Sequence, residues 1–310
     1  TEKGTKDTAI RVESLIDFEE KFGYACKIAI PDEENKINGL EYKLHESMRL
    51  FYANGGGICY VVSVGNYTDA ISNTALETGI SMLEPIDEVT MIVVPDAVSL
   101  EIEDLASVQN AALAQCLELK DRVAILDVKD TGNCNTDATN FRNSIGTKGA
   151  SYGAAYYPYI KSVYDREINV YDIYKGLKLS NQELENAQYY AELSEPTEES
   201  TLFAKQLMSK PEYAKLVAKI QEQANLLPPS GAIAGIYCAN DNQRGVWHAP
   251  ANMSVSGISD INVRISNKQQ GELNEDTSGK CINAIRAFQG KGILVWGART
   301  LDGLSSEWKY

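Results

Sequence analysis

The chain has 310 residues, 44% hydrophobic and 23% charged, which is the composition of a globular protein with one large domain or two medium ones. Its 43 acidic and 29 basic side chains give a net charge of −14. That charge repels phosphate groups, so neither nucleic acid nor an anionic membrane surface is expected as a partner. No apolar segment is long enough to cross a bilayer, so direct membrane insertion is not expected either.

The first half of the chain alternates between helical and extended patterns. Helices are predicted where apolar residues recur at helical spacing, over 16–22, 40–52, part of 73–83, 105–119 and 136–144. Strands are predicted from apolar, β-branched or aromatic runs over 58–64, 89–94, 122–128 and 153–159. Because helices separate the successive apolar strands, this order predicts a mostly parallel sheet with helices on both faces.

From 161 to 227 the strand signals fade and the sequence becomes polar and rich in Glu, which predicts a helical insertion. Its last helix, over 212–225, begins after Pro211 and ends before the pair Pro228-Pro229. The small residues of 231–239 fit either a strand or a helix. Near the C-terminus, glycines bound an apolar run from Ile293 to Trp296 that is typical of a strand.

Six cysteines lie far apart, without a CxxC pair or the spacing of a metal site. We therefore expect reduced thiols in a cytosolic protein, and neither a metal nor another cofactor. The cysteines are Cys26, Cys59, Cys116, Cys134, Cys238 and Cys281.

Two glycine-rich motifs have a catalytic and a structural interpretation. The run of three glycines after Asn54 resembles a phosphate-binding loop, but it follows a helix and precedes a strand, which favours a plain turn. Gly149 to Gly153 matches the G-x-S-x-G motif of serine hydrolases, with Ser151 as nucleophile and His248 as base. That motif needs a strand before it and a helix after it, but Ser151 follows a loop over 146–149 and leads into YYPY, where Pro158 argues against the start of a helix. A hydrolase stays as an alternative, while His248 is expected to pack beside Trp247 or to hydrogen-bond a turn.

Two further sets of residues leave two interpretations open. Asp96 and Asp127 follow predicted parallel strands, where α/β proteins bind small ligands, but Asp also caps helices and turns there. A small-ligand-binding α/β module is therefore a second alternative. The cluster Tyr156, Tyr157 and Tyr159 predicts either a contact surface between chains or a core with a polar edge.

Several blocks of sequence, in this order and spacing, resemble contractile tail-sheath proteins. The resemblance includes phage tails, R-type pyocins and antifeeding-prophage particles, and more distantly type VI secretion sheaths. The blocks are SLIDFEEKFG (14–23), FYANGGGICYVV (51–62), IVVPD (92–96), DRVAILDV (121–128), GAAYYPY (153–159), PPSGAIAGIY (228–237), RGVWHAPAN (244–252), INAIRAF (282–288) and GILVWGARTL (292–301).

The resemblance implies an α/β fold with a subtilisin-like, mostly parallel sheet but no protease activity. The domain order expected from it is a sheath domain over 1–160, a helical insertion over 161–227, the sheath domain again over 228–270, and the start of a smaller α/β C-terminal domain over 271–310. Family members also have terminal arms that exchange strands between subunits. We expect those arms to be absent from this chain, which starts at Thr1, and expect EWKY at its end to lead into one.

The function implied is that of a structural subunit, not an enzyme. Hexameric rings of subunits would stack into a helix around an inner tube, attach to a baseplate, and contract to drive the tube through a target membrane. The protein would be found in the bacterial cytoplasm during assembly or in a phage-tail-like particle. Beside the three tyrosines, the candidate contact residues are Lys280, Arg286, Lys291, Trp308 and Tyr310; the alternative for the three basic residues is a solvated helix face.

Overall fold

The computed structural model describes residues 1–31 and 37–310. Over these residues the chain forms eleven α-helices and eleven β-strands. The helices are α1 (Leu15–Phe22), α2 (Leu44–Ala53), α3 (Asn73–Ser81), α4 (Ile102–Leu119), α5 (Cys134–Ser144), α6 (Val170–Ile173), α7 (Asn181–Ala191), α8 (Glu198–Met208), α9 (Pro211–Ala224), α10 (Ser230–Arg244) and α11 (Asn267–Asn274). None of these helices combines the length and the apolar composition needed to cross a membrane.

The strands form three sheets, and the first and largest contains six strands in the order β3-β4-β5-β10-β11-β8. A three-stranded sheet has the order β7-β6-β9, and β1 pairs with β2 alone. The strands are β1 (Ala9–Val12), β2 (Cys59–Val62), β3 (Met91–Ile92), β4 (Val123–Asp127), β5 (Gly153–Tyr157), β6 (Ile160–Ser162), β7 (Leu226–Leu227), β8 (Met253–Ser254), β9 (Ile258–Ile261), β10 (Ile282–Phe288) and β11 (Gly292–Val295).

The six-stranded sheet is parallel from β3 to β10 and antiparallel beyond it. Side chains of a strand point alternately to its two faces, and β4 shows what each face meets. Ala124 and Leu126 join the hydrophobic cluster that contains the apolar face of α4. On the other face, the Asp127 side chain meets the first residue of α10. Helices thus cover both faces, and the mixed α/β fold expected from the sequence is confirmed.

Most predicted elements of the first half are present with shifted ends, and β2 differs in its pairing. The predicted strand at 58–64 forms β2, but it pairs antiparallel with β1 outside the large sheet. The expectation that it would join the parallel strands is therefore wrong. Its apolar side chains pack beneath α3, where Val62 and Val64 approach Gly79. An apolar run alone does not specify which strand becomes its neighbour, and this explains the difference.

The chain divides into two compact units, of which the second contains Cys26–Tyr42 and Tyr164–Asn225. Helices α6 to α9 of this unit surround a small core that includes Tyr174, Phe203 and Leu207. The Arg166 guanidinium is buried and donates hydrogen bonds to the carbonyl oxygens of Gly39 and Tyr42. The helical insertion predicted over 161–227 is thus one part of a unit that also includes an N-terminal segment. The parts of that segment that the structure describes, 26–31 and 37–42, form no helix or strand, so a search for helical and strand patterns could not find it.

The first unit contains Thr1–Ala25, Lys43–Val163 and Leu226–Tyr310. Strand β10 pairs in parallel with β5 in the middle of the large sheet, through Ile282 beside Ala155. Residues 271–310 therefore complete the core of this unit, and a separate C-terminal domain beginning at 271 is not confirmed. The glycine-bounded run near the C-terminus is the antiparallel strand β11, as its apolar residues predict.

Candidate functional site

The tyrosine cluster lies in the interior of the first unit. Tyr156 and Tyr157 are at most 1% exposed and Tyr159 is 8% exposed. The Tyr156 hydroxyl lies 2.9 Å from that of Tyr237 in α10, and Tyr157 donates to Asp137 over 3.0 Å. The Tyr156 and Tyr157 hydroxyls thus each have a partner, as burial requires. The structure favours the core with a polar edge over a contact surface at these three positions.

Asp96 and Asp127 cap helices instead of lining a crevice. Asp96 Oδ1 accepts from the backbone N–H groups of Lys43 and Leu44, at 2.5 and 2.9 Å, where α2 begins. Asp127 accepts from the backbone N–H and the hydroxyl of Ser230, at 2.9 and 2.5 Å, where α10 begins. Helix N-termini carry unpaired N–H groups, and a carboxylate satisfies them well. Both acids therefore fix helices against the sheet, which was the structural interpretation of their positions.

The Asp127 carboxyl is enclosed by protein, and this changes its acidity. Burial raises the pKa of the Asp127 carboxyl to about 7, and the hydrogen bonds from Ser230 oppose that rise. Burial also raises the pKa of Asp96, against the hydrogen bonds from Lys43 and Leu44. Shifted carboxyls of this kind occur at catalytic sites, but here each one accepts hydrogen bonds from the N-terminus of a helix.

The proposed hydrolase residues are not brought together. Ser151 lies in a 3-10 turn that precedes β5, without the strand before it and the helix after it that a nucleophile elbow needs. His248 Nδ1 lies 3.0 Å from Asn240 Oδ1, and Arg244 lies 3.4 Å from His248 Nε2. Both ring nitrogens of His248 thus face partners other than Ser151. The histidine serves a turn, as its structural interpretation predicts, and the hydrolase alternative is not supported.

The three glycines after Asn54 form a turn between α2 and β2. The Asn54 side chain donates to the carbonyl oxygens of Leu50 and Ser256, and Gly55 has a φ of +96°. A positive φ of this kind favours glycine, which explains the composition of the turn.

Among residues 1–31 and 37–310, no three His, Cys, Asp or Glu side chains form a group that could hold a metal ion.

Within the first unit, Lys280 caps the C-terminus of α5 and Arg142 caps the C-terminus of α11. The Lys280 ammonium donates to the carbonyl oxygens of Arg142 and Ile145 at the C-terminus of α5, over 2.5 and 2.6 Å. The Arg142 guanidinium donates to those of Glu272 and Leu273 at the C-terminus of α11, over 2.8 and 3.1 Å. Cations stabilise the negative ends of helices. Lys280, a predicted contact residue, therefore has an internal role in the described structure.

The other two basic candidates lie on the hairpin of β10 and β11. Arg286 is half-buried in β10, where its guanidinium donates to Asn267 over 2.9 Å and lies 5.2 Å from the ring of Phe288. Lys291 is exposed in the turn that joins the two strands. None of the three basic residues lies on a helix, so the alternative of a solvated helix face is wrong. Lys291 has the most accessible charge of the three.

Trp308 and Tyr310 lie in a C-terminal segment that folds back on itself. Thr300 donates its backbone N–H to the carbonyl oxygen of Lys309 over 3.2 Å. Trp308 is 49% exposed beside Tyr152, and Tyr310 is 73% exposed with the Arg299 guanidinium 5.6 Å from its ring. Both rings are accessible to a partner, and their assignment as contact residues remains a prediction.

An exposed turn that the sequence-based search for contact residues missed follows α10. Val246 is 79% exposed and Trp247 is 85% exposed, the highest value among the large hydrophobic side chains described. Asn240, which is fully buried, donates to the carbonyl oxygen of His248 over 2.6 Å and contacts its ring. The Gly245 and His248 backbones close the turn with a hydrogen bond of 3.0 Å. In the sequence, the one indication of this exposed turn was the low number of charged residues near it along the chain.

The fold and these contacts define an α/β chain whose polar interior groups stabilise the fold. The chain belongs to the phage tail sheath family, because the sequence profile of the phage tail sheath protein central domain matches residues 69–301. No curated protein sequence gives a significant match.

Solved structures give the same picture of the fold. The chain is similar, with a TM-score of 0.60 and 25% identity, to a chain of the PVC sheath complex of an extracellular contractile injection system in the contracted state. It is also similar to chains of the anti-feeding prophage baseplate and its contracted helical sheath, with TM-scores of 0.60 and identities of 24% and 23%. Each of these comparisons covers 99% of this chain. The matched part is 62% of the baseplate chain, 59% of the PVC chain and 62% of the helical sheath chain. The chain thus spans less than two thirds of the length of these relatives.

Proposed function

We propose that the protein is a structural subunit of a contractile sheath that polymerises helically around an inner tube. The observation that carries this proposal is the match of residues 69–301 to the phage tail sheath central domain. The likeness of nearly the whole chain to one from a contracted sheath complex supports it. Contacts between copies that do not close on themselves generate a helical polymer. Contraction would be a change between two packings of these contacts, and it would drive the tube through a target membrane.

The partners proposed are other copies of the subunit, an inner tube protein and a baseplate. Similarity to chains of the contracted helical sheath and the baseplate of an anti-feeding prophage supports the first and the last of these. We also propose that copies form stacked hexameric rings and exchange strands through terminal arms. The protein would assemble in the bacterial cytoplasm or belong to a phage-tail-like particle. The parallel strands β3, β4, β5 and β10 would be the subtilisin-like sheet of the family.

We propose a non-enzymatic role, and the contacts of the residues that suggested chemistry support it. Asp96 and Asp127 cap helices, and His248 orders a turn away from Ser151. On the contact surface, we propose Lys291, Trp308 and Tyr310 as residues that face the tube or a neighbouring subunit. Reversal of the Lys291 charge would then weaken sheath assembly or tube association, and normal assembly and association of that variant would contradict this role.

The proposal is tested by negative-stain microscopy of the full-length protein. We expect rings or tubular polymers, because the subunit forms contacts that propagate. A full-length protein that stays monomeric at high concentration, with and without its tube protein, would be evidence against a sheath subunit. In the same preparation, labelling of Ser151 by a fluorophosphonate would support a hydrolase, and we expect none.

A further inference from the structure

The turn from Arg244 to His248 presents two large apolar side chains to solvent on a rigid support. Val246 and Trp247 are 79% and 85% exposed. Burial of such side chains is worth more than a kilocalorie each in general, so a fold that leaves both outside forgoes that stabilisation. Trp is also the side chain most often found at the centre of protein–protein contacts.

The turn is held in one conformation from three sides. Its first residue after α10, Gly245, has a φ of +89°, and a Cβ there would meet the Trp247 ring at 2.4 Å. The ring therefore lies flat on the glycine. The buried Asn240 side chain fixes His248 through two hydrogen bonds, and Asp241 accepts from the Gly245 N–H over 3.0 Å. Rigid presentation lowers the entropy cost of binding, which is the usual property of a preformed contact site.

Charge indicates what the partner is. Residues 242–259, here called the charge-poor segment, contain a single charged residue, Arg244, although 23% of the chain is charged. Two copies of a chain with a net charge of −14 repel each other, so they approach most favourably where their surfaces lack acidic groups. Asp241 and Asp260 lie just outside this segment, so the turn from Arg244 to His248 itself has one cation and no acidic residue, which suits contact with a second acidic copy.

We propose that Val246 and Trp247 form the centre of a contact between neighbouring copies of this chain. This inference rests on the proposed function, because a sheath is a polymer of one subunit, and it adds the surface through which one set of copies meets. The contact is heterologous: the turn of one copy inserts into a different surface of the next.

The test compares polymer formation by the full-length protein and its Trp247→Ala variant. We expect the concentration needed for assembly to rise at least about tenfold, since truncation of a central Trp removes most of its contact energy. Trp247→Glu should raise it further, because it places an acidic group against an acidic copy. The matched control is Tyr189→Ala, which removes another aromatic side chain that is 63% exposed. Both alanine variants should keep the melting temperature of the parent protein, because the side chains they remove are exposed.

A direct readout comes from a protein in which Trp247 is the one remaining tryptophan, made by Trp296→Phe and Trp308→Phe. On assembly its emission should move to shorter wavelength and its quenching by acrylamide should fall. Assembly of both Trp247 variants at the parent concentration would overturn the inference and leave the sheath function standing. Loss of tube binding without loss of self-assembly would also overturn it, since the turn would then serve another partner. A parent protein that never assembles would contradict the sheath function itself.

Discussion

At the scale of single residues, buried polar groups in this protein act on helix ends. Asp96 and Asp127 satisfy N-termini, and Lys280 and Arg142 satisfy C-termini. The residue types could be picked from the sequence, because Asp after a strand is either a ligand group or a cap. The choice between these roles depends on which helix begins beside the carboxylate, and α10 begins at Ser230, far along the chain from the end of β4 at Asp127. Local sequence does not contain that information.

The Asp127 carboxyl makes stability depend on pH. Its pKa is about 7 in the folded protein and near 4 in the unfolded chain, so the folded state binds the proton more tightly. The free energy of unfolding should therefore fall as pH rises from about 4 to about 7, by on the order of 4 kcal/mol from this group. Asp127→Asn keeps an acceptor for the Ser230 N–H and cannot ionise. We expect the stability of this variant relative to the parent to increase between pH 5 and pH 8 in urea unfolding experiments. A difference that is constant with pH would contradict the shift.

We expect Lys280 to stabilise the fold of the subunit itself, independently of any contact with another chain. Lys280→Met removes two charged hydrogen bonds to the C-terminus of α5 and should lower the free energy of unfolding by about 1–2 kcal/mol. Lys291→Met is the matched control, because that lysine is exposed in a turn, and we expect a change within about 0.5 kcal/mol. The measurement is urea unfolding at neutral pH. Equal effects of the two substitutions would show that the caps of α5 are dispensable.

At the scale of elements, α10 shows what a pattern of small residues means. The sequence of 231–239 fits a strand or a helix, and the structure forms a helix buried on most sides. Small residues allow its backbone to approach α2 closely: a Cβ on Gly231 would lie 2.7 Å from the Ser47 carbonyl oxygen. The apolar pattern alone could not decide, because a helix enclosed on all sides has no polar face to reveal its period. Amphipathic helices such as α9 were predictable, because their polar face shows the helical period in the sequence.

The contact between α2 and α10 is sensitive to one added methyl group. A Cβ on Gly235 would lie 2.3 Å from the Phe51 carbonyl oxygen and 2.9 Å from the Asn54 Cβ, and backbone atoms cannot move aside easily. Gly235→Ala should therefore destabilise the protein by about 1–3 kcal/mol, although alanine favours a helix.

The control for this substitution is Gly271→Ala in α11, where an added Cβ meets nothing within 4 Å. Alanine there should stabilise the protein by about 0.5–1 kcal/mol, because it restricts the unfolded chain without a clash. Thermal unfolding of the two variants measures both effects. A stabilising Gly235→Ala would mean that α2 and α10 are farther apart than these distances imply.

At the scale of the whole molecule, the α/β class and most elements of the first half follow from the sequence. The strand and helix periods are local signals, and the blocks from SLIDFEEKFG to GILVWGARTL give the family, which the match of residues 69–301 confirms. The sheet order was not predictable beyond its parallel part. Pairing of β10 with β5 is a contact across a long stretch of chain, and the exclusion of β2 from the large sheet depends on β1.

The residue types of the candidate contact site were predictable from the sequence, but the burial of those residues was not. Aromatic and basic residues near the C-terminus were identified from their types, but burial of Tyr156 and Tyr157 could not be inferred, because Tyr suits an interior and a surface equally. The Trp247 turn was overlooked because a hydrophobic side chain in a loop usually folds inward. Exposure is a property of the complete fold, and the sequence around a residue specifies it weakly.

The parallel pairing of β5 with β10 also determines the order in which the protein can fold. When β5 leaves the ribosome, one of its edges has no partner until the second unit, α10 and β9 have been made. The second unit is dominated by contacts along 164–225 and can form early, whereas the large sheet must wait for a distant strand. An unpaired strand edge invites pairing with other chains. Many copies made together therefore carry an open edge for part of synthesis, so this sheet is where we expect nascent subunits to aggregate if β10 is delayed or truncated.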